Sequence, residues 1–303
     1  MKPVILFPVI LLLLAFSACN VKTACPEDLV EKDGLLYFEG DSKPFTGICT
    51  DKYANGQKES EKCYLNGRKH GKAVSWYSNG AMKGEETYSE GALDGSWRRW
   101  FSNGQLELEE HYMKGKGHGK WTRWYENGQK VYEGAYNNGR EEGEWCWWYK
   151  NGQKEAEGSS KDGKRQGTWT RWYDSGQKES GCEYTDGREH GNWIKWYEDG
   201  QVKKEGVFVN GNENGKWTKY FPDGSVEYIH QYDNGTEDGC WVWYYNNGQK
   251  SFEGCYNKGR PDSTWNGWYK SGEPAGSAVY KEGELISGED MEEIKQRILN
   301  ITV

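Results

Sequence analysis

The sequence predicts an all-β protein: an elongated, single-layer antiparallel β-meander of about ten 24-residue hairpin repeats, followed by a short C-terminal capping helix. Three observations carry that prediction. Glycine stands at 56, 80, 104, 128, 152, 176, 200, 224, 248 and 272, a spacing of 24 without insertion or deletion, and Asn, Ser or Asp precedes it each time. Two further glycine columns keep the same period, one from Gly67 to Gly283 and one from Gly47 to Gly239. Aromatic residues make up 15% of the chain while its mean hydropathy is -1.04, so rings laid along a thin sheet replace a thick aliphatic interior.

Taken from its start, the chain divides into residues 1–18, 19–34, 35–286 and 287–303. Met1-Lys2 followed by the apolar run Pro3 to Phe16 has the charged beginning and short hydrophobic core of a secretory signal, too short for a comfortable membrane span. Phe16-Ser17-Ala18-Cys19 resembles the lipobox of bacterial lipoproteins, with Phe16 departing from the usual Leu. The resemblance makes Cys19 the lipid-bearing first residue of the mature protein. Asn20, which is not the Asp linked with inner-membrane retention, implies the outer membrane of a bacterial envelope. Residues 19–34 then read as a polar tether.

From residue 35 the repeats begin, opening with a divergent half unit at Leu35–Gly47, as expected where a stack lacks a neighbour. Each full unit supplies two strands. The first carries paired rings, as in Trp97 and Trp100, Trp121 and Trp124, Trp145 and Trp148, Trp169 and Trp172, and Trp193 and Trp196. Side chains alternate along a strand, so rings three apart occupy opposite faces. The second strand ends in a ring column, Tyr64, Tyr88, Tyr112, Tyr136, Tyr184, Phe208, Tyr232, Tyr256 and Tyr280, broken at Ser160.

The turn leaves two registers open. A two-residue type I′ turn at Asn127-Gly128 would set Gln129 opposite Glu126; a type I turn with a glycine bulge would set it opposite Tyr125. Pro222-Asp223-Gly224 favours the bulged turn, because Pro suits position i+1 of type I.

The unit Trp-Tyr-x-Asn-Gly-Gln-Lys-x-x-Glu-Gly-x-Tyr-x-x-Gly-x-x-x-Gly-x-Trp, as at 124–145, resembles the MORN-repeat variant of bacterial proteins known as YwqK-family antitoxins. The resemblance covers about residues 35 to 286 and implies a twisted, mostly single-layer meander used as a scaffold or interaction surface. Neutralising a cytoplasmic toxin fits poorly with a lipid-anchored envelope location, so the antitoxin role is set last. The aromatic units also loosely resemble those of choline- and glucan-binding cell-wall proteins.

Chemistry-bearing residues dissolve into the repeat. His70, His118 and His190 each precede a third-column glycine, where other units carry Asp94, Glu142, Gln166, Asn214 and Asp238, and read as solvated turn residues. Glu61, Glu85, Glu109, Glu133, Glu157, Glu205 and Glu253 read as a solvent-facing charge ladder. No catalytic set, metal site or cofactor is expected, and no enzyme. The net charge of -8 is interleaved with Lys and Arg and has no basic block, so nucleic acid is not an expected partner.

Apart from Cys19, seven cysteines remain. Cys240 and Cys255 flank one hairpin, directly opposite with a two-residue turn and offset by one with a bulged turn, and form the expected disulfide. Cys146 and Cys182 lie three strands apart, beyond bonding reach. After Glu289-Asp290, the apolar residues Met291, Ile294, Ile298 and Ile301 at helical spacing predict a helix over 289–300, expected to cover the last sheet edge.

Two function classes follow. One is an envelope scaffold that binds protein partners, its ring columns packed on each other and on Lys and Arg stems. The other is a module that stacks polysaccharide or peptidoglycan on exposed Trp and Tyr faces.

Overall fold

The computed structural model describes residues 22–24 and 26–300; the predicted signal segment and Cys19 lie outside them. Contacts divide the chain into two units, residues 1–128 and 129–303. The class is as the repeat predicts: each unit is an antiparallel β-meander in which successive strands pair, and the second ends in one helix.

In the first unit the meander runs from Gly47–Lys52 through Lys58–Leu65, Arg68–Trp76, Met82–Ser89 and Ala92–Trp100 to Leu106–Met113, which pairs with Lys116–Gly117 and Gly119–Trp124. The expectation of a tether over 19–34 is corrected for its described residues. Thr23–Ala24 pairs in parallel with Gly47–Lys52, and Leu29–Lys32 forms a hairpin with Leu35–Phe38. Ala24, Phe45, Cys49 and Tyr64 are buried together, with Leu29, Leu36 and Phe38 against them. Those apolar side chains give the segment a core of its own, so it folds as the cap of the first repeat.

Two kinds of turn alternate. At the Asn-Gly column Gly152 N donates to Tyr149 O and Tyr149 N donates to Gln153 O, with Gly152 at φ 88°. This is the bulged type I turn. At the second glycine column two successive residues have positive φ, as at Asn138 (51°) and Gly139 (82°), with Asn137 opposite Arg140. This is a two-residue type I′ turn.

The bulged turn does not set the register of the whole hairpin. A second bulge follows at once: Trp148 faces Lys154 but Trp147 faces Ala156, leaving Glu155 as an extra residue. That insertion cancels the offset. Cys240 and Cys255 are therefore directly opposite despite the bulged turn, and they are joined as a disulfide. Cys146 and Cys182 are free thiols, and burial pushes the Cys182 thiol up to about 11.

In the second unit the meander runs from Lys130–Asn137 to Glu284–Gly288, and the helix spans Met291–Asn300. Asp290 starts the helix, its Oδ1 accepting from Glu292 N at 2.8 Å. The helix does not cover the sheet edge, as the sequence had led us to expect. Ile294 and Ile298 instead pack on the sheet face among Phe252, Trp265, Ala275, Ala278 and Tyr280. Gly267 and Gly276 leave the room: a Cβ on Gly267 would stand 2.5 Å from Ile294 Cγ2. The last strand, Glu284–Gly288, is exposed throughout.

Candidate interaction surfaces

The repeat builds two different faces. On one, Trp121, Trp145, Trp217, Trp241 and Trp265 each meet the ring that closes the preceding strand, with centroids 4.9–5.3 Å apart in pairs such as Tyr136–Trp145 and Phe208–Trp217, while Trp169, whose preceding strand carries Ser160 in that column, meets Tyr184 of the following strand at 6.4 Å. Trp145, Trp169, Trp217, Trp241 and Trp265 are buried by these contacts.

A fourth glycine column, which sequence reading missed, makes this packing fit. Gly134, Gly158, Gly206 and Gly254 lie beneath the indoles of Trp145, Trp169, Trp217 and Trp265, eleven residues later in each case. The signal was available as the fixed Gly-to-Trp spacing. Where the column holds His230, its imidazole stacks on Trp241 at 3.7 Å and 8° and on Tyr228 at 4.0 Å and 11°. Burial in that sandwich holds the His230 pKa down to about 3.

The extra residue of the second bulge places charge on the same face. Glu107 receives Arg99 and Arg123 at 2.6 and 3.3 Å, and hydrogen bonding from Arg99 holds its carboxyl below the usual range. Glu179 lies between Arg171 and Lys195, and Glu227 meets Lys219 at 2.7 Å. These pairs brace adjacent repeats, a role that the alternating pattern alone did not reveal.

The opposite face carries Trp148, Trp172 and Trp196, each under a lysine ammonium: Lys130, Lys154 and Lys178 lie 5.4–5.9 Å from the ring centroids. Lys130 and Lys154 also pair with Glu133 and Glu157. The glutamate column is thus an ion-paired ladder. In the first unit Trp100 and Trp124 hold the equivalent positions on their own strands, opposite in parity to Trp97 and Trp121, and in the second unit Trp193 lies on the face opposite Trp196. None of the ten tryptophans named as a candidate surface is exposed. The large apolar residues that are exposed among the described residues are Leu65, Met82, Met113, Leu285, Ile286 and Leu299, with no ring among them. Rings, a glycine or a lysine ammonium of neighbouring strands lie against Trp145, Trp148, Trp169, Trp172 and Trp196.

Along the turns, a third set of bonds joins one repeat to the next. Tyr149 and Tyr173 hydroxyls donate to Trp172 O and Trp196 O, and the Tyr53, Tyr77, Tyr197 and Tyr245 hydroxyls do the same one repeat on. The type I′ turn is held twice in several repeats. Its glycine N–H donates to a carbonyl 22 residues earlier, as Gly163 to Glu141 O, Gly187 to Arg165 O and Gly283 to Pro261 O. The N–H of its first residue donates to a side chain 20 residues earlier: Asp162 to Glu142, Asp186 to Gln166, Asn210 to His190 Nδ1 and Asn234 to Asn214. In those repeats the column read as solvated turn residues supplies acceptors. His190 is one of them, whereas the buried Nδ1 of His70 and of His118 meets no hydrogen-bond partner among the described residues.

Among the described residues no three His, Cys, Asp or Glu side chains come together as a metal would need. What the geometry defines is a repeat protein of serially paired hairpins whose faces are ring and ion-pair ladders.

Its units match the MORN repeat variant at residues 69–90, 93–114, 117–138, 141–162, 189–210, 213–234 and 237–258, just over half of the chain. The chain belongs to that repeat family. No curated protein matches it. Among solved structures, it is similar to a chain in the crystal structure of TcdB2-TccC3, with 8% identity, a TM-score of 0.18 and coverage of 78% of this chain and 17% of that one. A chain in the crystal structure of TcdB2-TccC3-TEV gives 10%, 0.16, 78% and 17%. This chain thus spans less than a fifth of either, and likeness at those scores bears on neither fold nor function.

Proposed function

We propose that this chain is a non-enzymatic scaffold of the bacterial cell envelope, lipid-anchored through Cys19 on the outer membrane, whose repeats bind protein partners. The observation that carries the reading is the packing of the ring columns. Rings lie against rings on one face and under lysine ammonium groups on the other, which gives firm, polar, patterned surfaces. Such surfaces suit protein contacts rich in ion pairs and aromatic edges. Stacking of a sugar needs an open ring face, and none of the exposed large apolar residues is aromatic, so polysaccharide binding is the weaker reading. The lipid anchor rests on Cys19 and the segment before it.

The test is photo-crosslinking in native membranes, with residues of the two faces replaced one at a time by a crosslinking amino acid. Recovery of the same partner from several consecutive repeats supports the scaffold. Retention on peptidoglycan with no protein crosslink overturns it. Fatty-acid labelling that persists in Cys19→Ser overturns the anchor.

A further inference from the structure

The last strand ends the repeat in an unusual way. Its residue Ile286 occupies the column of turn acceptors that holds Thr46, Asp94, Glu142, Gln166, His190 and Asn214 in earlier units. Leu285 occupies the column whose carbonyl receives the next turn glycine, as Pro261 O receives Gly283 N. In those units a polar side chain in this column receives the first N–H of the next turn. The strand offers an apolar one instead.

Both side chains are open, Leu285 at 44% and Ile286 at 58% exposure. Among the described residues the strand's register partners all lie on one side, in Pro274–Lys281, and a bulge makes Ile286 the extra residue between the Leu285 and Ser287 pairings. The helix that might have sheltered this edge lies on the sheet face. Around it, residues 281–290 contain Glu282, Glu284, Glu289 and Asp290 against the single cation Lys281. Glu289 is taken by Arg297 and Asp290 by the helix start, so among the described residues Glu282 and Glu284 are the carboxylates beside the open strand that form no ion pair.

We propose that Glu284–Gly288 is a docking edge that takes an extended segment of a partner protein as one more strand. The segment covers Leu285 and Ile286 with apolar side chains and sets Lys or Arg against Glu282 and Glu284. Backbone pairing supplies affinity and the alternate side chains supply selection. A second copy fits less well. Antiparallel self-pairing about Ile286 would bring Glu282 beside Asp290 of the other copy, and a head-to-tail stack would lack the polar acceptor. This proposal rests on the scaffold reading and narrows it to one edge.

The probe is a capped nine-residue peptide alternating Val with Lys and Thr, beside a matched peptide with Glu for each Lys. Binding to the full chain is read by fluorescence anisotropy, and hydrogen exchange is followed across 284–288. The basic peptide is expected to bind at least about tenfold more tightly than the acidic one, a difference of about 1.4 kcal/mol. It should slow exchange of the edge amides and weaken in high salt. The double variant L285S/I286S, which changes exposed side chains only, is expected to lose the binding. Equal binding of both peptides, binding retained in the double variant, no binding at about millimolar peptide, or a dimer that the double variant abolishes would each overturn the proposal. Partner crosslinks that survive on the repeat faces after such a failure leave the scaffold standing; their absence removes the scaffold itself.

Discussion

The indole of Trp145 lies across the Cα of Gly134 on the neighbouring strand, so closely that a Cβ there would stand 2.2 Å from Cδ2. Trp169 repeats the relation with Gly158, Trp217 with Gly206 and Trp265 with Gly254. The missing side chain is what lets the ring lie flat enough to be buried and, at Trp145 and Trp265, to meet the tyrosine two residues after the glycine. Gly134→Ala is therefore expected to push the indole out and destabilise the fold by about 1–3 kcal/mol. Denaturant unfolding measures the cost, and an unchanged midpoint would show that the ring yields freely. Cys182, which holds a side chain at the same column position, supplies the internal control: Cys182→Ala should cost less.

Ser263 breaks the third glycine column and adopts φ 61°. A non-glycine residue in that region costs about 1–2 kcal/mol. At the equivalent Gly143 and Gly167, φ is 76° and 67° with nothing within 4 Å of an added Cβ, so the backbone angle and not crowding is what matters there. Ser263→Gly should stabilise the second unit by about 1 kcal/mol and Gly143→Ala should destabilise it by a similar amount. Thermal melts with the two variants moving the same way would contradict this account.

His230 predicts an acid-sensitive fold. Its folded pKa is held down to about 3 by burial, with the positive charge of Lys204 adding to the shift, against an ordinary value of 6.5. Below 6.5 the unfolded chain takes up a proton that the folded chain refuses, so the unfolded state is favoured. The stability that comes from keeping the ring neutral is complete above pH 6.5 and is lost as pH falls toward 3. Within that window the slope is about 1.4 kcal/mol per pH unit. His230→Gly, which restores the residue common at this column, should flatten the profile between pH 4 and pH 6 when followed by urea unfolding. A wild-type profile already flat there would remove the sandwiched imidazole as its cause.

The periodic glycines and rings made the meander readable before any coordinates, because each turn type demands its own residues and the period never slips. The register was only half readable. Pro222 pointed to the bulged turn, but nothing in Gln153-Lys154-Glu155 announced the second bulge that restores direct pairing of Cys240 with Cys255. The same bulge aims Glu107 and Glu179 at their arginines, so those ion pairs were hidden for the same reason. The ten tryptophans were placed on alternating faces, but whether their rings were packed or open was left between two readings, since sequence shows where a ring points and not what fills the space beside it. Helix position failed similarly: the spacing of Ile294 and Ile298 defines an apolar stripe, whereas Gly267 and Gly276, far from it in sequence, decide where that stripe lands.

The turn-acceptor column gives the last test, because it separates a solvated residue from a structural one. Gln166 accepts from Asp186 N at 3.0 Å and Asn214 from Asn234 N at 3.2 Å, each donor being the first residue of a type I′ turn with φ above 50° or close to it. Removing the acceptor leaves that N–H to water and loosens a turn whose glycine is tied to the preceding repeat. Gln166→Ala and Asn214→Ala should each cost about 0.5–1.5 kcal/mol, whereas Gln166→Glu, which keeps the acceptor as Glu142 does in its own repeat, should cost little. The change should also be local. Hydrogen exchange of the amides at 186 and 187 should quicken in Gln166→Ala while those at 234 and 235 stay as they were. Alanine and glutamate variants with equal stability would return this column to the status of solvated turn residues.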